Sequence, residues 1–236
     1  MLLLHYPYEV SIVRFLYTGI GFYIAFQGLT AAVAAPQSLP PTPQQMPSLA
    51  LLQGKTVIQG NGVEFTVPSG FEGGVPSNAQ TKAITTEATK MFPSMATFGD
   101  LLESDPNILR AIAINTTRAD NPEIVIVTRL PVPATVSLKE IEQMMSQMLP
   151  SMLPPEFKLV NSKITNVGSR SIVLLTVDAN IQGSKFKESI GLFREGNEIF
   201  QVTYVYANAN SRQAMPIFRQ MIGSFKATAS VSTAKP

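Results

Sequence analysis

Apolar and polar positions alternate with a period of two in some stretches of this chain and follow the 3.6-residue helical period in others. The first clear stretch is Val63, Phe65 and Val67, separated by Glu64 and Thr66. It predicts a half-buried strand that follows the turn signal Gly60-Asn61-Gly62 and ends at Pro68-Ser69-Gly70. Ala79, Ala83, Ile84, Ala88, Met91 and Phe92 then recur at helical spacing, with Asn78 as cap and Pro93 as stop. Met95, Phe98, Leu101 and Leu102 predict a second, short helix closed by Asp105-Pro106. Ile108 to Asn115 and Ile124 to Leu130 are β-rich runs parted by Arg118-Ala119-Asp120-Asn121-Pro122, a loop composition, and are expected to pair as antiparallel neighbours.

Ser137-Leu138-Lys139-Glu140 is a capping box, in which the serine hydroxyl and the glutamate carboxylate satisfy free amides at a helix start. The helix it opens carries Leu138, Ile141, Met144, Met145, Met148, Leu149 and Met152 on one broad stripe. From Phe157 to Tyr206 the pattern predicts a meander of three strands, punctuated at Gly168-Ser169, Gln182-Gly183-Ser184 and Glu195-Gly196-Asn197. Phe200, Val202, Tyr204 and Tyr206 alternate there with Gln201, Thr203 and Val205, so both faces carry apolar groups and helices are expected to cover at least one face of the sheet. A last helix over 211–223 presents Met215, Ile217, Phe218, Met221 and Ile222; Pro216 is expected to kink it or to delay its start. The order predicts a single α+β domain, an antiparallel sheet with helices packed on its faces.

The apolar run from Phe15 to Val33 has a different meaning, because it ends in the small-residue triplet Ala32-Val33-Ala34. It reads as a secretory leader cleaved after Ala34. An uncleaved membrane anchor is the alternative, although Gly19, Gly21, Gln27, Gly28 and Thr30 weaken the run as a span. Met1 to Val13 contains Glu9 and no basic residue, so translation is expected to begin at Val13, giving a basic start at Arg14. The chain then divides into a leader at 1–34, a Pro-rich linker at 35–59, a folded domain at 60–227 and a flexible tail at 228–236. Five prolines between Pro36 and Pro47 hold the linker extended and unpacked.

Composition narrows the chemistry. The 236 residues include 1 histidine, no cysteine and no tryptophan, and that histidine, His5, leaves with the leader. No disulfide framework or disulfide-linked partner is available, so stability must come from an ordinary core. The net charge of +2 is spread over single lysines and arginines, with Lys185 and Lys187 the nearest to a patch, which argues against a nucleic-acid surface.

Gly62-Val63-Glu64-Phe65-Thr66-Val67-Pro68-Ser69-Gly70-Phe71, the turn at Gly196-Asn197 and the closing Ile222-Gly223-Ser224-Phe225 resemble the PsbP-like family of photosynthetic lumenal proteins. That α/β sandwich is shared structurally with a Ran-binding nuclear import factor. The resemblance covers roughly residues 60 to 228. It implies a soluble, exported accessory factor of an oxygenic photosynthetic bacterium that works by binding and without catalysis of its own; no cofactor is expected.

Each candidate site has a plainer reading beside it. Met144, Met145, Met148 and Met152 share a helix face and offer thioethers to Cu(I), yet the same stripe fills an irregular core seam or an adaptable groove for a partner peptide. Asp100, Glu103 and Asp105 offer oxygen ligands to Ca²⁺ or Mn²⁺, with solvated helix-end carboxylates as the alternative. Asp120 and Glu123 read the same way, with a turn favoured. Ser184-Lys185-Phe186-Lys187 matches S-x-x-K without the helix that motif needs, and Gly54-Lys55-Thr56 has Leu49 where a phosphate loop requires glycine. Tyr204 and Tyr206 are candidates for a partner surface. The reading that follows is an exported, non-enzymatic binding or assembly factor of a protein complex at a membrane surface, in the periplasm or thylakoid lumen. A metal-handling or small-ligand-binding protein is the alternative.

Overall fold

A computed structural model describes residues 54–77, 107–115, 117, 123–181 and 183–228. The predicted leader, most of the linker, the two helices expected over 79–92 and 95–102, the loop 118–122 and the tail from 229 lie outside the described residues.

The chain course is β1 (Lys55–Gly60), β2 (Val63–Pro68), β3 (Phe71–Gly74), β4 (Leu109–Asn115), β5 (Ile124–Leu130), α1 (Leu138–Met152), β6 (Phe157–Val167), β7 (Arg170–Ile181), β8 (Ser184–Glu195), β9 (Glu198–Ala207), a 3-10 turn (Asn208–Asn210), α2 (Ser211–Ser224) and β10 (Lys226–Ala227). Seven strands form one antiparallel sheet in the order β3-β4-β5-β9-β8-β7-β6, and β1-β2-β10 form a second, small one. This is an α+β fold, with helices packed on the faces of an antiparallel sheet. β4 and β5 pair antiparallel, as the β-rich runs predict.

Two differences from expectation have physical causes. Lys55–Gly60, assigned from the sequence to the linker, is a strand, because Asn61-Gly62 forms a two-residue hairpin turn between Gly60 and Val63, with Gly62 at φ 70°. The stretch from Phe157 holds four strands and not three, since each of the three turn signals joins a pair.

α1 begins as the capping box requires: Ser137 Oγ accepts from the Glu140 backbone N–H, and Glu140 accepts from the Ser137 N–H. The bonds that the Ser137 backbone N–H and hydroxyl donate to the Glu140 carboxylate hold that carboxyl below its ordinary pKa. Ile141, Met145 and Leu149 are buried on the sheet face that carries Val173, Leu175, Val177, Ile190, Leu192 and Val205. The opposite face carries Ile172, Phe193, Phe200, Val202, Tyr204 and Tyr206, and is covered by Phe218, Met221 and Ile222 of α2 and by Phe65 and Val67 of the small sheet. α2 approaches β8 closely at Gly191, where an added Cβ would stand 2.9 Å from Phe218 Cζ. The helix runs through Pro216, whose ring is on its exposed side.

Arg170 fastens the end of α2 to the sheet. Its guanidinium donates to the carbonyls of Ile222 and Phe225 and to Glu195, and it lies 4.8 Å from the centre of the Phe193 ring. A cation there complements the negative end of the helix dipole.

Candidate binding site at the open corner of the sheet

Strand periodicity sends alternate side chains to opposite faces, so coverage can be followed residue by residue. On the α1 face of β7, Val173, Leu175, Val177 and Ala179 are all buried. On the α2 face, Ile172 and Leu174 are buried, Thr176 and Asp178 are half-buried, and Asn180 is exposed. β8 repeats this: Ser189, Gly191 and Phe193 are buried, Lys187 is half-buried and Lys185 is exposed. The small sheet and α2 therefore cover one end of the face and leave the other open.

The register builds a polar row across that open end. Lys158 of β6 stands opposite Asp178 of β7, Asp178 opposite Lys187 of β8, and Lys187 opposite Tyr206 of β9. Asn180 and Lys185 form a second, shorter row. Lys158, Asp178, Asn180, Lys185 and Lys187, but not the buried Tyr206, line a cavity of about 460 Å³ together with Glu156, Asn208 and the apolar Pro155, Ala179 and Phe186. That volume suits a small ligand or a few side chains of a partner. Lys187 Nζ donates to Asp178 Oδ1 at 2.5 Å, whereas Lys158 and Lys185 have no ion pair among the described residues. The corner thus offers two uncommitted ammonium groups beside amide donors, a set that attracts anionic groups.

Tyr204 and Tyr206 are not a partner surface. They are 0 % and 2 % exposed, because α2 covers the face to which residues of their parity point. The Tyr206 hydroxyl lies 3.1 Å from Ser189 Oγ, and burial raises the phenol pKa above its ordinary value. Met145 is fully buried in the α1-face core, Met144 packs against it and Met148 is half-buried. The Met152 side chain and Asp100, Glu103 and Asp105 lie outside the described residues, as does Asp120. Glu123 is buried and accepts from the Asn115 and Asn210 amides.

The S-x-x-K match falls apart on geometry: Ser184 and Lys187 are three apart on β8, so they point to opposite faces. Lys55 and Thr56 open a strand and no helix. Among the described residues no group of three or more His, Cys, Asp or Glu is placed to hold a metal ion, and no helix is long and apolar enough to cross a membrane.

Glu188 is a residue that the sequence reading passed over. It is 1 % exposed on the α1 face, between Val177 and Val205, and its Oε2 has no hydrogen-bond partner. Burial without a partner raises its pKa to about 8. The signal was present in the alternation, where Glu188 takes a position in phase with Phe186, Ile190 and Leu192.

No family model and no curated protein matches the sequence. Among solved structures, the chain is similar to the cyanobacterial PsbP of Synechocystis, at 10 % identity over 78 % of this chain and 98 % of that one, with a TM-score of 0.45. It is similar to LpqN of Mycobacterium tuberculosis, involved in cell envelope biogenesis, at 12 % identity over 74 % and 90 % of the two chains, with a TM-score of 0.42. The Ran-binding protein Mog1p of Saccharomyces cerevisiae matches at 11 % identity over 70 % and 90 %, with a TM-score of 0.38. What this chain shares with these proteins is a likeness of fold.

Proposed function

We propose that the mature chain is an exported, non-enzymatic binding factor that docks on a protein complex at a membrane surface through the open corner of its large sheet. The observation that carries this reading is the row Lys158-Asp178-Lys187 beside Lys185, lining a cavity at the uncovered end of the α2 face. Two further facts support it. With His5 removed, the mature chain has neither histidine nor cysteine, the side chains most used as general base and thiol nucleophile. The apolar run ending at Ala32-Val33-Ala34 directs export. A photosynthetic membrane complex in the thylakoid lumen is the partner to which the PsbP-like resemblance of Gly62 to Phe71 points.

The test is cross-linking in the native host, with a C-terminal tag, followed by purification. The wild-type protein is expected to recover one complex near stoichiometry, and Lys158→Glu with Lys185→Glu to lose it. Equal recovery by both proteins would refute the assignment of the corner.

A further inference from the structure

The large sheet has two edges that differ in kind. β3 is 4 residues long, and an added Cβ at Gly73 would stand 2.0 Å from the Ile112 carbonyl oxygen of β4. β6 is 11 residues long and terminal, and among the described residues no strand pairs with its outer side. It also carries Val160 and Ile164, which are 52 % and 43 % exposed, two of the four large hydrophobic residues exposed among the described ones. A bare edge of this length presents a row of backbone donors and acceptors, which is a template for another strand.

The charges on β6 select which strand. Its sequence, FKLVNSKITNV, has two lysines and no acidic residue. The bulge between Leu159 and Asn161 resets the alternation, so Lys158 and Lys163 lie on the same face, opposite Asp178 and Leu174. Asp178 is engaged by Lys187, and Lys163 has no ion pair among the described residues. Ile164, opposite Val173, points to the other face, the one where Glu142 of α1 accepts from Ser162 Oγ. A second copy of β6 would bring lysines against lysines. An incoming strand with acidic residues on one face and apolar residues on the other meets Lys158 and Lys163 with the first and Ile164 with the second.

We infer that β6 is a strand-addition site for an extended partner segment of alternating acidic and apolar residues, which becomes the eighth strand of the sheet. The inference names the partner's chemistry for the binding-factor reading and rests on that reading. Lysines and a bulge on an edge also guard against self-pairing, and here the same lysines set the sign of the segment accepted.

The probe is a blocked nine-residue peptide, Thr-Val-Glu-Val-Glu-Val-Glu-Val-Thr, compared with its counterpart carrying lysine for glutamate, both added to the full mature chain. Fluorescence anisotropy is expected to show at least tenfold tighter binding of the glutamate peptide, and hydrogen exchange to show new protection confined to β6. Lys158→Glu with Lys163→Glu, both at exposed positions, is expected to reverse the preference; this reversal separates recognition from a folding defect. Equal binding of the two peptides, no binding, or protection elsewhere would overturn the inference. So would a concentration-dependent dimer with protected β6 amides, which would make a second copy the occupant. If the peptide fails while the host complex is still recovered through Lys185, the strand-addition site falls and the binding-factor reading stands.

Discussion

The two faces of the seven-stranded sheet are made by the same strands and end differently. On β7 the α1 face is apolar and buried from Val173 to Ala179. The α2 face is an aromatic core at one end, where Phe193, Phe200 and Phe225 meet, and a lysine-lined cavity at the other. The difference shows how one strand serves stability and recognition: period two separates the faces, and the reach of α2 and the small sheet decides where the second face turns from core to surface. On the α1 face the polar side chains of Thr128, Glu188, Gln201 and Thr203 are sealed inside, whereas at the open end of the α2 face Lys158, Asp178, Lys185 and Lys187 stand where solvent and partners reach them.

The aromatic end is the firmest part of this contrast. The Phe225 ring packs edge-on to Phe193 at 4.9 Å and lies 5.1 Å from Phe200. Phe225→Ala is expected to lower stability by about 3–5 kcal/mol in a denaturant titration. A loss below about 1 kcal/mol would show that this face is not a packed core.

Glu188 sharpens the other side of the comparison. Burial sets its carboxyl pKa at about 8, against an ordinary 4.5. Between those values the folded state keeps a proton that the unfolded state has released. The contribution of Glu188 to stability is therefore most favourable at acid pH, falls by up to about 1.4 kcal/mol per pH unit as pH rises through this window, and levels off above it. Glu188→Gln removes that slope, so the variant should gain steadily on the wild type between pH 5 and 8. Parallel stability curves for the two proteins would contradict an unpaired buried carboxyl.

Smaller effects test the margins. Ser137→Ala removes the N-cap of α1 and is expected to cost about 1 kcal/mol by thermal melting, without touching binding at the corner. Asp178→Asn breaks an ion pair whose partners are 23 % and 47 % exposed, so stability should change by no more than about 0.5 kcal/mol. The same change frees Lys187, so affinity for an anionic probe should rise. If affinity falls instead, Asp178 is itself a contact.

Much of the fold was legible because its signals are local. The capping box at Ser137, the Gly168-Ser169 and Gly196-Asn197 turns, and the alternation of β2 and β9 each depend on neighbouring residues. β1 was missed because only Val57 and Ile58 are apolar in Lys55–Gly60 and a Pro-rich stretch precedes it, although Asn61-Gly62 is a hairpin signal that needs a strand on either side. The site was less legible. Lys185 and Lys187 stand out two residues apart, but Lys158 and Asp178 join them only through the register of three strands. Tyr204 and Tyr206 misled for a related reason: β9 is apolar on both faces, and sequence parity does not tell which helix lies over which face.

The central claim is that partners meet this protein at the open corner of the α2 face. A chain without cysteine allows a direct measurement, in which single cysteines are placed at exposed Asn180 in the corner and at exposed Lys139 on α1, each carrying the same short photo-cross-linker. In the native host, the account predicts a discrete cross-linked partner from Asn180→Cys and none from Lys139→Cys. Cross-links from Lys139→Cys alone, or equally from both positions, would contradict it.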